Sequence, residues 1–146
     1  MRHPNLDLIH RGFDAFSSGD TAALLAQWTP DVVFHEIGRH SLAGSYHGPE
    51  AILGYFGRIV EITGGTHRLQ LEHALADDAM GYVIYTEQAE VAGRSYESTL
   101  VMVVRFQDGK MAEMWDHPRG QALEEQIMAE SPAPVAGRSP APAGEG

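Results

Sequence analysis

The chain has 146 residues, 43% of them hydrophobic, which suits one domain around one core. Twenty acidic against ten basic residues leave a net charge of -10, which speaks against a nucleic-acid partner, because neutralising phosphates needs a basic stripe. The absence of cysteine excludes disulfides, thiolate metal sites and a cysteine nucleophile. No apolar run of roughly eighteen residues is present to span a membrane. The opening MRHPNLDLIHRGF lacks the apolar core of a signal peptide, so a cytoplasmic location is the expectation.

Leu6, Ile9, Phe13 and Phe16 fall at helical spacing and predict an amphipathic first helix, closed by Ser17-Ser18-Gly19. Asp20 is placed to cap a second helix that carries Leu24, Leu25 and Trp28, and Pro30 stops it. Val32 to Ile37 is β-branched and aromatic enough for a strand. Gly38 to Gly48 reads as a loop. Pro49 and Glu50 open a third helix lined by Ile52, Leu53, Phe56, Ile59 and Val60, which Thr63-Gly64-Gly65 ends. Four strands are predicted after it: Thr66–Ala76, Met80–Val91, Arg94–Phe106 and Lys110–His117. The turns between them, Asp77-Asp78, Ala92-Gly93 and Asp108-Gly109, suit an antiparallel meander. Gln121 to Glu130 is expected to form a short closing helix. From Ser131 on, SPAPVAGRSPAPAGEG has almost nothing large and apolar to bury, so residues 131–146 are expected to form a disordered tail on a domain of residues 1–130.

Helices followed by a long meander make an α+β domain. The sheet must curl round the helices, which predicts a cone-shaped barrel with an open, pocket-forming end.

The helix pair, the strand VVFHEIG, the loop LAGSYHG, the helix PEAILGYF and the late strand MAEMWDH resemble the SnoaL-like branch of the nuclear-transport-factor-2-like superfamily. The resemblance runs from about Leu6 to Gln121. Its most specific part is G-x-x-x-L-A-G-x-Y-x-G from Gly38 to Gly48, which speaks for fold more than for activity. That superfamily includes polyketide cyclases, ketosteroid isomerases, limonene-epoxide hydrolases, dehydratases and proteins that only bind or assemble.

Strand alternation puts Phe34 with Glu36, Ile84 with Thr86, Gln88 and Glu90, and Ala112 with Met114 and Asp116. If these are the concave faces, Glu36, Glu90 and Asp116 converge. A carboxylate in an apolar pocket has a raised pKa, which suits proton transfer near neutrality. The likeness to limonene-epoxide hydrolases implies acids at Asp116 and Glu90, with Gln88 standing where those enzymes carry a bridging arginine that glutamine's neutral amide does not replace. The likeness to ketosteroid isomerases implies a base at Glu36. Their oxyanion donors fall on Gly12 or Phe13 and on Met102, none of which has a donating side chain. The polyketide-cyclase likeness implies one base, Asp116, with Gln88, His35 or Tyr55 as donors and no cofactor.

Asp116 precedes His117-Pro118, where acids also serve as turn or cap residues, and Glu90 lies near a hairpin turn, so structural roles stand beside the catalytic ones. Eight histidines invite a metal, but no H-x-H or H-E-x-x-H spacing occurs, and no metal site is expected. Trp28, Phe34, Tyr55 and Met114 are expected in the core and pocket wall. The reading is a cofactor-free acid–base enzyme of cyclase, isomerase or hydrolase type acting on a small hydrophobic, oxygenated molecule. Asp116, Glu36 and Glu90 would be its catalytic groups, and Trp28, Phe34, His35, Tyr55, Gln88 and Met114 would contact the substrate. The alternatives are a non-catalytic binding module and an assembly protein that dimerises through the outer face of its sheet. A homodimer is the expected assembly, with neither nucleic acid nor membrane as partner.

Overall fold

The computed structural model describes residues 2–38, 42–118 and 138–139. Helix α1 spans Pro4–Ser18, with Pro4 in its first turn and the His3 ring accepting the Asn5 amide. Gly19 ends it in the left-handed conformation, at φ 71°. Helix α2 is shorter than its sequence pattern predicts, Thr21–Ala26, with the Asp20 carboxylate accepting the Ala23 amide. Trp28 does not continue it. The Gln27 carbonyl accepts the Met111 amide at 2.8 Å, and that bond draws the chain into strand β1, Trp28–Glu36. Pro30 therefore lies inside a strand rather than after a helix. Proline withholds a ladder hydrogen bond, and the β1 register shifts between Trp28 and Val33.

A further strand, β2 at Gly44–His47, occupies part of the stretch expected to be loop. It pairs antiparallel with β1, and Tyr46 there is fully buried. Helix α3 is Pro49–Ile62 and buries Ile52, Tyr55 and Ile59 along one stripe. Strands β3 (Arg68–Ala76), β4 (Met80–Val91), β5 (Arg94–Gln107) and β6 (Lys110–Pro118) form the meander expected from the sequence.

The sheet order is β3-β4-β5-β6-β1-β2, curved and unclosed. β1 joins β6 in parallel, so the sheet is antiparallel except at this seam. A two-residue strand β7, Arg138–Ser139, pairs with β2. It falls within the tail for which the sequence predicts no order. The predicted helix at Gln121–Glu130 lies outside the described residues, as does the rest of the tail.

The helices pack on the concave face. Ile9, Val83, Leu100, Val104 and Ile52 are almost completely buried between them and the sheet. Among the described residues no helix is long and apolar enough to cross a membrane.

Candidate functional site

The parallel seam builds the site. In β1 the alternation Val32, Phe34, Glu36 faces inward, and in β6 so does Met114, Asp116. The register sets Glu36 directly opposite Asp116. Both carboxyls are buried, at 3% and 4% exposure, within reach of each other across the seam. Burial side by side makes it costly for both to ionise at once.

Two tyrosines complete the group. Tyr85, on the inner face of β4, donates to Asp116 Oδ1 at 2.6 Å and lies 2.8 Å from Oδ2. Tyr55, on α3, donates to Glu36 Oε2. Its ring sits between Phe34 and Tyr46, at centroid distances of 5.4 and 4.7 Å. Burial holds both phenols well above their usual pKa, and the neighbouring carboxylates add to the effect. They stay protonated and act as donors, not bases. Burial also pushes the Asp116 carboxyl from its ordinary 3.8 up to about 7. The charge of Glu87 adds to that rise, while the hydrogen bonds from Tyr85 and Glu36 oppose it. A carboxyl in this state can accept a proton from a weakly acidic C–H or O–H and return it.

Glu90 does not join the pair. It lies exposed on the outer face of β4, as does Gln88, whose amide donates to Glu97 at 2.5 Å. The inward residues of β4 are Val83, Tyr85, Glu87, Ala89 and Val91, the opposite parity to the one expected. The third acid of the concave face is Glu87, 8% exposed, with Oε2 2.6 Å from His67 Nε2. His35 also faces outward. It bonds Ser45 and Glu113, each at 2.6 Å, and stacks on Trp115.

Trp28, Phe34 and Met114 are buried and line an inner cavity of about 70 Å³ with Phe13, Met102 and Met111. Phe34 and Met114 each stand two residues before a carboxyl of the pair, so the cavity adjoins the acids through apolar wall. A larger cleft of about 480 Å³ lies between the C-terminal end of α1, helices α2 and α3, and the start of β3. Phe16, Leu24 and Phe56 border both spaces. Among the described residues no group of three or more His, Asp or Glu is placed to hold a metal.

The alternation of β4 carried a signal for Tyr85 and Glu87 only near its C-terminal end. There Ala89 and Val91 alternate with Gln88 and Glu90. Nearer the start, Tyr82 and Ile84 are apolar yet face outward, which hides the inner face. His67 precedes β3 and no periodicity marks it.

Residues 9–114 match the model of the SnoaL-like domain. An uncharacterised protein of Mycobacterium tuberculosis is 29% identical over 126 residues, covering 86% of this chain and 96% of its own. The structure of Bal32a, from a soil-derived mobile gene cassette, is 30% identical with a TM-score of 0.82, over 86% of this chain and 96% of that one. TerC, co-crystallised with polyporic acid, is 22% identical with a TM-score of 0.75, over 88% and 99%.

Proposed function

The chain belongs to the SnoaL-like domain family, and from that premise we propose that it is a cofactor-free acid–base enzyme acting on a small, hydrophobic, oxygenated molecule. The observation that carries this reading is the buried Asp116–Glu36 pair, each carboxyl bonded by a tyrosine hydroxyl and set next to an apolar cavity wall. Asp116 would be the base that takes a proton from an acidic carbon or hydroxyl. Glu36 would share and relay it. Tyr55 and Tyr85 would hold the carboxyls and hand their hydrogen bonds to an enolate. This is closest to the polyketide-cyclase type of chemistry. TerC's co-crystallisation with polyporic acid supports a cone that takes a small molecule.

The test is a carbon-detected titration of the Asp116 carboxyl, assigned with Asp116→Asn, together with turnover of enolisable aromatic ketones. Half-titration near 7, and loss of turnover in a folded Asp116→Asn variant, are the expected results. Titration near the ordinary 3.8, or turnover that survives the substitution, excludes the enzyme.

A second reading, a non-catalytic binding or assembly protein, is favoured by the small volume of the inner cavity, about 70 Å³. It expects ligand affinity indifferent to Asp116→Asn. Under either reading the chain would act as a cytoplasmic homodimer. Support for the dimer is the outward strip of Leu75, Tyr82, Ile84 and Val101, which are 61%, 50%, 39% and 37% exposed and adjacent across β3, β4 and β5.

A further inference from the structure

We propose that the larger cleft is a ligand site of its own, which takes an apolar, ring-sized molecule whose hydroxyl donates a hydrogen bond to His67. The cleft's volume, about 480 Å³, is within the range of small-molecule sites, roughly 300–1,000 Å³. Phe16, Leu24, Leu53, Phe56 and Leu69 make its walls apolar. Such walls bind a ring and leave its orientation to a few polar groups.

His67 is the polar side chain built for that task. It lines the cleft, yet its side chain is only 6% exposed. Its Nε2 lies 2.6 Å from Oε2 of Glu87, whose side chain is 10% exposed. A carboxylate there draws the ring hydrogen onto Nε2 and fixes the tautomer. In the neutral ring Nδ1 is then the acceptor. It is buried, and no hydrogen-bond partner reaches it among the described residues. A buried acceptor without a partner weakens the fold unless something supplies a donor. A ligand hydroxyl supplies it.

Phe16 packs against the His67 ring. Its ring meets His67 edge-on at 5.7 Å and Phe56 edge-on at 5.0 Å. A ligand ring that takes the place of Phe16 against His67 exchanges one aromatic contact for another and opens the way to Nδ1. Phe16 also borders the inner cavity, so the same movement joins the cleft to that cavity. The inference thus deepens the acid–base reading by naming an entry site and a hydroxylated aromatic as the class it selects, and it rests on that reading for its purpose only.

The experiment uses the full chain, ¹⁵N-labelled at histidine, with three probes of one shape: 2-naphthol, 2-methoxynaphthalene and naphthalene. 2-Naphthol is expected to bind about tenfold more tightly than the other two, the value of one added hydrogen bond. It alone is expected to move the His67 Nδ1 resonance. His67→Phe keeps a ring in place and is expected to erase the preference. Should that variant fail to fold, the Nδ1 resonance of the unaltered chain decides. Equal binding of the methyl ether, an Nδ1 signal unmoved by bound 2-naphthol, or no 2-naphthol binding up to its solubility would each overturn the proposal. Asp116→Asn is expected to keep the preference. If Asp116 titrates near 7 and the preference is absent, this inference fails alone. A preference that persists with an ordinary Asp116 titration defeats the acid–base reading alone.

Discussion

Burial sets the raised pKa of Asp116, and a few neighbours, each removable singly, adjust it. Tyr85 lowers it by bonding the ionised form, and Glu87 raises it by like charge. Tyr85→Phe is therefore expected to move the half-titration point above 7 by roughly one pH unit or more, since hydrogen bonds to charged groups contribute about 1.5–3 kcal/mol. Glu87→Gln is expected to move it the other way, toward the ordinary value. Carbon-detected titration reads both. A shift of the same sign in the two variants would mean that burial alone controls the group. Legibility at this scale was uneven. Glu36 and Asp116 could be read on one face because β1 and β6 alternate cleanly. Glu90 and Gln88 were misplaced because β4 carries apolar residues on both faces near its start, so its parity needs the helices to declare it. Tyr85, the residue that bonds Asp116, was lost with them.

Helix and strand ends followed local chemistry where the chain itself supplied the partner. The Asp20 cap of α2 is such a case, and Asp20→Ala is expected to cost about 1 kcal/mol in urea unfolding. Where the partner is remote, local signals fell short. Trp28 continues the apolar spacing of α2, but the bond from the Met111 amide to the Gln27 carbonyl commits it to β1. β2 was read as loop because Gly44 and Gly48 flank a run too short to announce a strand. Its backbone partner is β1, supplied by the fold. Packing between elements is equally specific. A Cβ at Gly81 would sit 3.0 Å from both Ile9 Cδ1 and Phe106 Cε2, where α1 crosses the sheet. Gly81→Ala is expected to destabilise by about 1–3 kcal/mol. A neutral result in thermal unfolding would show that α1 yields at this crossing.

Stability of the whole molecule should carry the mark of the buried acid. Asp116 titrates near 3.8 unfolded and near 7 folded, so between those values the folded chain holds a proton that the unfolded chain has released. Its contribution is therefore most favourable below pH 3.8, declines as pH rises through the window, and levels off above 7. The span is on the order of 4 kcal/mol at 1.36 kcal/mol per pKa unit. Urea unfolding across pH 4–8 is expected to show the decline in the unaltered chain and a flatter line in Asp116→Asn. Parallel lines would place the shift elsewhere. The outer strip makes a separate claim at this scale. The chain is expected to elute as a dimer and Val101→Glu as a monomer, and an unchanged elution volume would move the interface off that strip.

Local interactions determined what the sequence alone could say. The helix start at Pro49, the hairpin turns of the meander, and the inward parity of Glu36 and Asp116 all rest on contacts within a few residues. The motif from Gly38 to Gly48 added the family. Tertiary structure decided the rest, because it required partners far apart in the chain. The parallel pairing of β1 with β6 joins residues some eighty positions distant and brings two separate acids together as one buried pair. The reach of Tyr85 across β5, the meeting of His67 with Glu87, and the division of the interior into a small cavity and a larger cleft likewise depend on how the sheet curls round the helices. No periodicity encodes that curl, because it arises from the packing of all the elements at once.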